Sequence, residues 1–311
     1  MQAMAVIFEA PHRLALRSLA LNAPESGDVL VEIVWSGIST GTEKLLFTGK
    51  MPSFPGLGYP LVPGYESVGR IIESGSECRG RIGEWVFVPG ANCFADARGL
   101  FGGSARRLVV PSARALPIDE SWGADGVLFA LAATALHAIN GGELPDLVVG
   151  HGILGRLIAR LTIARGGAAP VVWEINPQRS AGDHGYRVIH PDTDERRDYR
   201  SICDVSGDGS LLDTLIARLA KGGEVNLAGF YQTPLSFTFP PAFMREARIR
   251  VAAEWGPDDL VAIRDMVSSG ALNLAGLVSH VQPVADATSA YPMAFTDPAC
   301  LKMILDWSAC T

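Results

Sequence analysis

The stretch Leu147-Val148-Val149-Gly150-His151-Gly152-Ile153-Leu154-Gly155 decides the reading of this chain. A short apolar strand leads into G-x-G-x-x-G, and Ile153–Arg165 continues with apolar residues at helical spacing. The glycines alone are a weak signal, because the chain holds 34 of them. Context strengthens it: a strand before, an amphipathic helix after, and Glu174 closing the next strand, 24 positions beyond Gly150.

Each glycine has a mechanical reason. Gly150 permits the tight turn, Gly152 lets a pyrophosphate approach the backbone, and Gly155 lets helix and strand pack closely. Free N–H groups where the helix starts, at Ile153 and Leu154, then bind the anion, and His151 is expected to flank it. Glu174 would accept hydrogen bonds from ribose hydroxyls and repel a 2′-phosphate, which favours NAD as cofactor; Arg179 nearby keeps NADP open. Ser206-Gly207 and Gly229 end later strands on the side where the cofactor would lie.

Around this segment strand and helix candidates alternate: Val171–Glu174, a helix over Gln178–His184, Arg187–Ile189, Ser201–Val205, a helix over Leu211–Lys221 capped by Gly222-Gly223, Glu224–Ala228 and Ile249–Ala253. Strands separated by helices imply a parallel sheet, because parallel neighbours need a crossover. The first 120 residues read differently, as strands (Ala5–Phe8, Val29–Trp35, Ser67–Glu73, Glu84–Val88, Arg107–Val110) among many prolines and glycines. The expected class is α/β plus β: a barrel-like domain over 1–122, a Rossmann parallel-sheet domain over 123–256, and a return over 257–311 with one helix and a few strand pieces.

Composition narrows the function. Of 311 residues 48% are hydrophobic and 19% charged, so a core can form. A formal charge of −7 disfavours nucleic-acid backbones. The longest apolar run, Gly126–Ile139, falls short of a membrane span, and the start lacks the pattern of a secretory signal, so a cytoplasmic protein is expected. Five cysteines without a C-x-x-C pair argue against disulfides and a structural zinc knot, and the six histidines show no metal-ligand spacing. Gly37-Ile38-Ser39-Thr40-Gly41 spells the nucleophile-elbow pattern G-x-S-x-G, but too little chain precedes it to build a hydrolase sheet.

With Ser36-Gly37-Ile38, Gly41-Thr42-Glu43, Pro63-Gly64-Tyr65-Glu66, Thr134-Ala135-Leu136-His137 and the glycine loop, the chain resembles the medium-chain dehydrogenase/reductase superfamily along nearly its whole length. The resemblance implies a GroES-like catalytic domain, with the cofactor in a cleft between domains. The departures are informative. Where zinc members carry Cys, His and a third ligand, this chain has Ser39 or Thr40, Tyr65 and Ala130; only Glu66 remains, and the four-cysteine lobe is absent. One carboxylate does not make a zinc site, so no catalytic metal is expected.

Within the superfamily, Trp35–Glu43, Gly49-Lys50-Met51-Pro52, Tyr59–Gly69 and Val86–Phe94 resemble the dehydrogenases of bacteriochlorophyll biosynthesis. That branch implies oxidation of the 3-(1-hydroxyethyl) group of a bacteriochlorin to acetyl, with NAD as acceptor. Two other readings stay open: a zinc-free quinone or enone reductase, and a protein that binds NAD and pigment without turnover.

A metal-free oxidation needs a side chain to take the hydroxyl proton. Tyr65 is the first candidate and His137 the alternative; the resemblance gives Thr42 the proton relay, with Ser39 a neighbouring donor and Glu66 ordering the site. A flat apolar macrocycle needs a wide slot. The loop Phe47–Tyr59, with Met51, Phe54 and Leu57, is a candidate wall, as are Phe94, Phe101 and Trp122. By analogy with the superfamily, Arg248–Ala253 is the edge through which two copies would pair.

Overall fold

A computed structural model describes every residue except Phe54 and Thr311. In chain order the strands are β1 (Gln2–Ala10), β2 (Arg13–Ala20), β3 (Asp28–Ile38), β4 (Ser67–Ser74), β5 (Trp85–Val88), β6 (Arg107–Pro111), β7 (Leu116–Pro117), β8 (Leu147–Val149), β9 (Val171–Trp173), β10 (Arg187–Ile189), β11 (Tyr199–Asp204), β12 (Leu219–Leu227), β13 (Arg248–Val251), β14 (His280–Pro283) and β15 (Met303–Asp306). The α-helices are α1 (Thr42–Thr48), α2 (Phe129–Ile139), α3 (Ile153–Ala164), α4 (Pro177–Ser180), α5 (Leu212–Arg218), α6 (Phe239–Arg245), α7 (Pro257–Ser268) and α8 (Ala287–Thr296). Two compact units result, 1–130 with 274–311, and 131–273. The divisions thus fall at 130 and 273, rather than at 122 and 256, and α7 counts with the second unit.

In the first unit β3 is the organising strand. Its first half pairs with β6, its last residues pair with β15, and β4 runs along its other edge, all antiparallel. The sheet order is β14-β15-β3-β4-β5-β7, with β6 joining at β3, beside a separate β1-β2 hairpin. Val29, Val31 and Ile33 alternate along β3, as a half-buried strand requires, and all are fully buried. The register Met303↔Ile38 brings the chain's last strand beside the residues that lead into α1.

The second unit holds a six-stranded sheet, ordered β10-β9-β8-β11-β12-β13, with every pairing parallel. In α3, Leu157, Ile158 and Leu161 are fully buried, matching the amphipathic stripe read from the sequence.

Four expectations need correction. The helix over Gln178–His184 is the single turn α4, because Gly182 and Gly185 take positive φ of 105° and 74°. The helix over Leu211–Lys221 stops at Arg218, and Gly222-Gly223 lie inside β12 instead of capping it. The C-terminal segment carries two helices, α7 and α8, not one; Pro292 inside α8 had hidden the second. Finally, a 3-10 run over Glu120–Leu128 leads directly into α2. That stretch, Glu120–Ile139, is long and apolar enough to cross a membrane by length and composition, yet 61% of its most apolar window is buried within the protein.

Candidate active site

In the first unit the end of β3, the start of α1 and the segment before β4 bring Ser39, Thr42, Glu43, Tyr65 and Glu66 together. The Tyr65 hydroxyl donates to Ser39 Oγ at 2.7 Å and also faces the Thr42 hydroxyl. Glu43 reaches back one helical turn to accept from the Ser39 N–H at 3.0 Å, while its own N–H donates to the Ser39 carbonyl. Three of the residues expected to act on a proton therefore touch one another, and Glu66 adjoins them.

Burial dominates the electrostatics here. Glu43 and Glu66 are 0% exposed. Desolvation pushes the Glu43 carboxyl up to about 8, so it keeps its proton at neutral pH. Desolvation first, then the neighbouring Glu66, push the Tyr65 phenol upward, so it is a neutral donor. Glu66 is pushed up by burial and pulled back by Lys302, whose ammonium contacts its carboxylate and donates to the Ile38 carbonyl at 3.1 Å. Tyr291 of α8 completes the cluster, its hydroxyl 3.3 Å from Ser104 Oγ.

Lys302, Glu43 and Tyr291 escaped the sequence reading. The signal was present for Lys302, a single cation set in the apolar run Cys300-Leu301-Lys302-Met303-Ile304-Leu305. The G-x-S-x-G glycine also gains a reason: a Cβ on Gly37 would collide with the Glu66 carboxylate and the Lys302 stem. Ala130, at the superfamily's third ligand position, is fully buried. No cluster of three or more His, Cys, Asp or Glu suited to a metal occurs among the described residues.

Of the aromatic wall candidates, Phe101 faces Tyr65 with ring centroids 5.3 Å apart, and Trp122 stacks on Phe129 at 5.2 Å. Phe94 and Met51 are buried in the core of the first unit, with Leu57 packed against it. Phe54 lies outside the described residues. His137 belongs to the second unit, where its Nδ1 lies 2.8 Å from Asp259 of α7.

The glycine loop is a tight turn of bare backbone at the start of α3. Gly150 takes φ of +101°, and a Cβ on Gly155 would strike the Gly150 carbonyl, so helix and strand touch through bare backbone. A Cβ on Gly152 meets nothing within 4 Å, which leaves open space at the start of α3. Glu174 accepts from the His151 N–H at 3.1 Å and the Asn176 N–H at 2.7 Å, which fixes its carboxylate beside the loop. Asp204 holds the next turn by accepting from the Ser206 N–H at 2.9 Å; Gly207 has φ of +71°, and a Cβ on Gly229 would crowd its N–H at 3.0 Å.

The His151 side chain is not where an anion would need it. It is fully buried, Nδ1 2.7 Å from the Arg179 carbonyl and Nε2 2.9 Å from the Tyr186 hydroxyl. Burial, then Arg156, lower its pKa to about 4, so the neutral ring donates through Nδ1 and accepts at Nε2. His151 thereby ties the segment after β9, Arg179 included, to the glycine loop.

Residues 25–120 match the alcohol dehydrogenase GroES-like domain. The chain is 59% identical to the 2-desacetyl-2-hydroxyethyl bacteriochlorophyllide A dehydrogenase of Cereibacter sphaeroides and 54% identical to that of Rhodobacter capsulatus, covering 99% of each pair. The chain belongs to the 2-desacetyl-2-hydroxyethyl bacteriochlorophyllide A dehydrogenase family. The fold of this dehydrogenase family is the medium-chain one: a short chain alcohol dehydrogenase from Escherichia coli CFT073, complexed with NADH, superposes with a TM-score of 0.85 at 20% identity, over 98% of this chain and 99% of its own.

Proposed function

We propose that this protein oxidises the hydroxyethyl side chain of a bacteriochlorophyllide to acetyl, with NAD as acceptor and without a catalytic zinc. The observation that carries the reading is 59% identity, over 99% of both chains, to a relative of that named activity. The donor set supports the metal-free part. Hydroxyls, a phenol and a methyl stand at the superfamily's ligand positions, and Glu66 is already engaged by Lys302.

Oxidation removes a hydride from the carbinol carbon and a proton from its oxygen. A nicotinamide dinucleotide supplies the hydride acceptor when bound. Gly150, Gly152 and the backbone N–H groups of Ile153 and Leu154 would hold its pyrophosphate, and Glu174 would accept from the ribose hydroxyls, which favours NAD over its 2′-phosphorylated form. Arg179, Ser206, Gly207 and Gly229 line the remaining edge. Ser39, Thr42 and the neutral Tyr65 phenol orient the substrate hydroxyl and pass its proton onward. Phe101, whose ring faces Tyr65, gives the flat macrocycle an apolar wall. The five cysteines are free thiols, in keeping with a cytoplasmic setting.

The test is direct. Protein, hydroxyethyl pigment and NAD should together give the absorbance shift of the acetyl product. No shift at saturating NAD sinks the reading.

We also propose a homodimer formed through β13. This strand ends its sheet, pairing with β12 alone, and presents Ile249 and Val251 to solvent beside the exposed Phe239, Phe243 and Met244. Sedimentation should give twice the chain mass for wild type and a monomer for Val251→Asp; a wild-type monomer overturns the proposal.

A further inference from the structure

Arg98 stands in the segment between β5 and β6, exposed, and no carboxylate among the described residues pairs with its guanidinium. Other cations of the first unit are already engaged. Lys302 is held by Glu66 and the Ile38 carbonyl, and Lys44 of α1 donates to the Phe295 carbonyl at 3.0 Å.

The placement of Arg98 is fixed from the backbone outward. Its N–H donates to the Pro60 carbonyl at 3.0 Å, and its carbonyl accepts from the Val62 N–H at 2.9 Å, which sets it beside Leu61. The two segments then continue together: the Gly102 N–H donates to the Val62 carbonyl at 3.0 Å and the Gly103 N–H to the Gly64 carbonyl at 2.7 Å. The Arg98 side chain lies on the bare backbone of Gly58, where a Cβ would come within 2.6 Å of Nε and 3.1 Å of Cζ. Gly58 thus seats the guanidinium, as Gly37 seats Lys302.

This pair of segments ends on Arg98 at one side and on Tyr65 at the other. Between them Phe101 turns its half-buried ring to Tyr65, with centroids 5.3 Å apart, and Tyr65 donates to Ser39. Leu61, beside Arg98, and Tyr65 are at most about 14 Å apart along the chain, the scale of a tetrapyrrole macrocycle.

We propose that Arg98 binds the propionate carboxylate of the pigment and so selects the free acid over its esters. The inference rests on the bacteriochlorophyllide oxidation proposed above. A bacteriochlorophyllide is a flat, mostly apolar plate with one ionised side chain, and a guanidinium offers that carboxylate two parallel N–H donors. A plate lying on Phe101 keeps water from one side of the contact, which makes the pair stronger than an open surface ion pair. A single fixed cation also decides which way round the plate lies, with the hydroxyethyl group toward Ser39 and Tyr65.

The experiment compares hydroxyethyl bacteriochlorophyllide with its propionate methyl ester, using full-length wild type, Arg98→Gln and Arg79→Gln. Arg79 is an exposed cation beyond the end of β4 that lies away from Tyr65, so its loss controls for net charge. Arg98→Gln should raise KM for the acid about tenfold, the scale of one charge-assisted hydrogen bond, with kcat within about twofold of wild type. Wild type should show the same tenfold higher KM for the ester. Arg98→Gln should treat acid and ester alike, and Arg79→Gln should behave as wild type with both.

Equal KM values for acid and ester in wild type, or a preference for the acid that survives in Arg98→Gln, would overturn the proposal. So would an equal loss in Arg79→Gln, which would make the effect one of overall charge. If wild type oxidises neither pigment, the proposed reaction is what fails. Absorbance titration of the proteins with acid and ester then still decides whether Arg98 holds the carboxylate.

Discussion

The Tyr65 hydroxyl donates to Ser39 Oγ at 2.7 Å, joining the segment before β4 to the residue that follows β3. Both side chains are buried, so neither hydroxyl has water as a substitute partner. Tyr65→Phe removes the donor and keeps the ring against Phe101. We expect kcat to fall by about 100-fold with little change in KM, as for a lost proton-transfer group. Steady-state kinetics on the pigment checks this; unchanged kcat takes Tyr65 off the proton path.

The glycine loop allows two substitutions to be set against each other. Gly155→Ala forces a methyl into the Gly150 carbonyl, and should destabilise the second unit by about 1–3 kcal/mol, the usual scale of overpacking. Gly152→Val meets open space, so thermal unfolding should stay near wild type while NAD affinity falls at least about 100-fold, the bulk standing where the pyrophosphate belongs. Calorimetry for both properties separates the outcomes, and intact NAD affinity in Gly152→Val contradicts the loop's role.

Glu174 serves the loop as well as the ribose, since its carboxylate accepts from the His151 and Asn176 N–H groups. Glu174→Gln keeps one acceptor and removes the charge. The expected result is a loss of about tenfold in NAD affinity and a narrower margin over NADP, because the repulsion of a 2′-phosphate is gone. Titration with both dinucleotides measures the ratio; an unchanged ratio means selectivity lies elsewhere.

Glu43 gives a pH signature to stability. Its carboxyl is pushed from an ordinary 4.5 up to about 8 in the folded protein, so the folded state binds the extra proton. The stabilisation is complete below 4.5 and is lost as pH rises through 8. Glu43→Gln retains an acceptor for the Ser39 N–H and cannot ionise. Relative to that variant, wild type should lose stability between pH 5 and pH 8, by on the order of a few kcal/mol. Denaturant titrations across that range show it; parallel curves would mean that Glu43 is ionised throughout.

What the sequence shows and what it hides follow physical lines. The Rossmann sheet was readable because strand, glycine loop and amphipathic helix are local patterns, each complete within about a dozen residues. Tyr65, Ser39, Thr42 and Glu66 were found through motif positions, and the fold does bring them together. Lys302 was missed because its partner lies 236 positions away, and pairing at that distance leaves no local period. The pairing of His137 was hidden for a related reason: the titratable type is visible, but its partner Asp259 lies 122 residues off. The ends of α5 and α4 depended on where glycines fall in a strand or a turn, a choice that tertiary pairing makes.

The first unit is assembled from both ends of the chain, with β15 hydrogen-bonded along β3. On a ribosome, which delivers the chain from its N-terminus, residues 131–273 can condense as soon as they emerge. The first unit must wait. Until translation passes position 302, Glu66 has no counter-cation and Trp35–Ile38 at the end of β3 lack their strand partner, an exposed edge during synthesis.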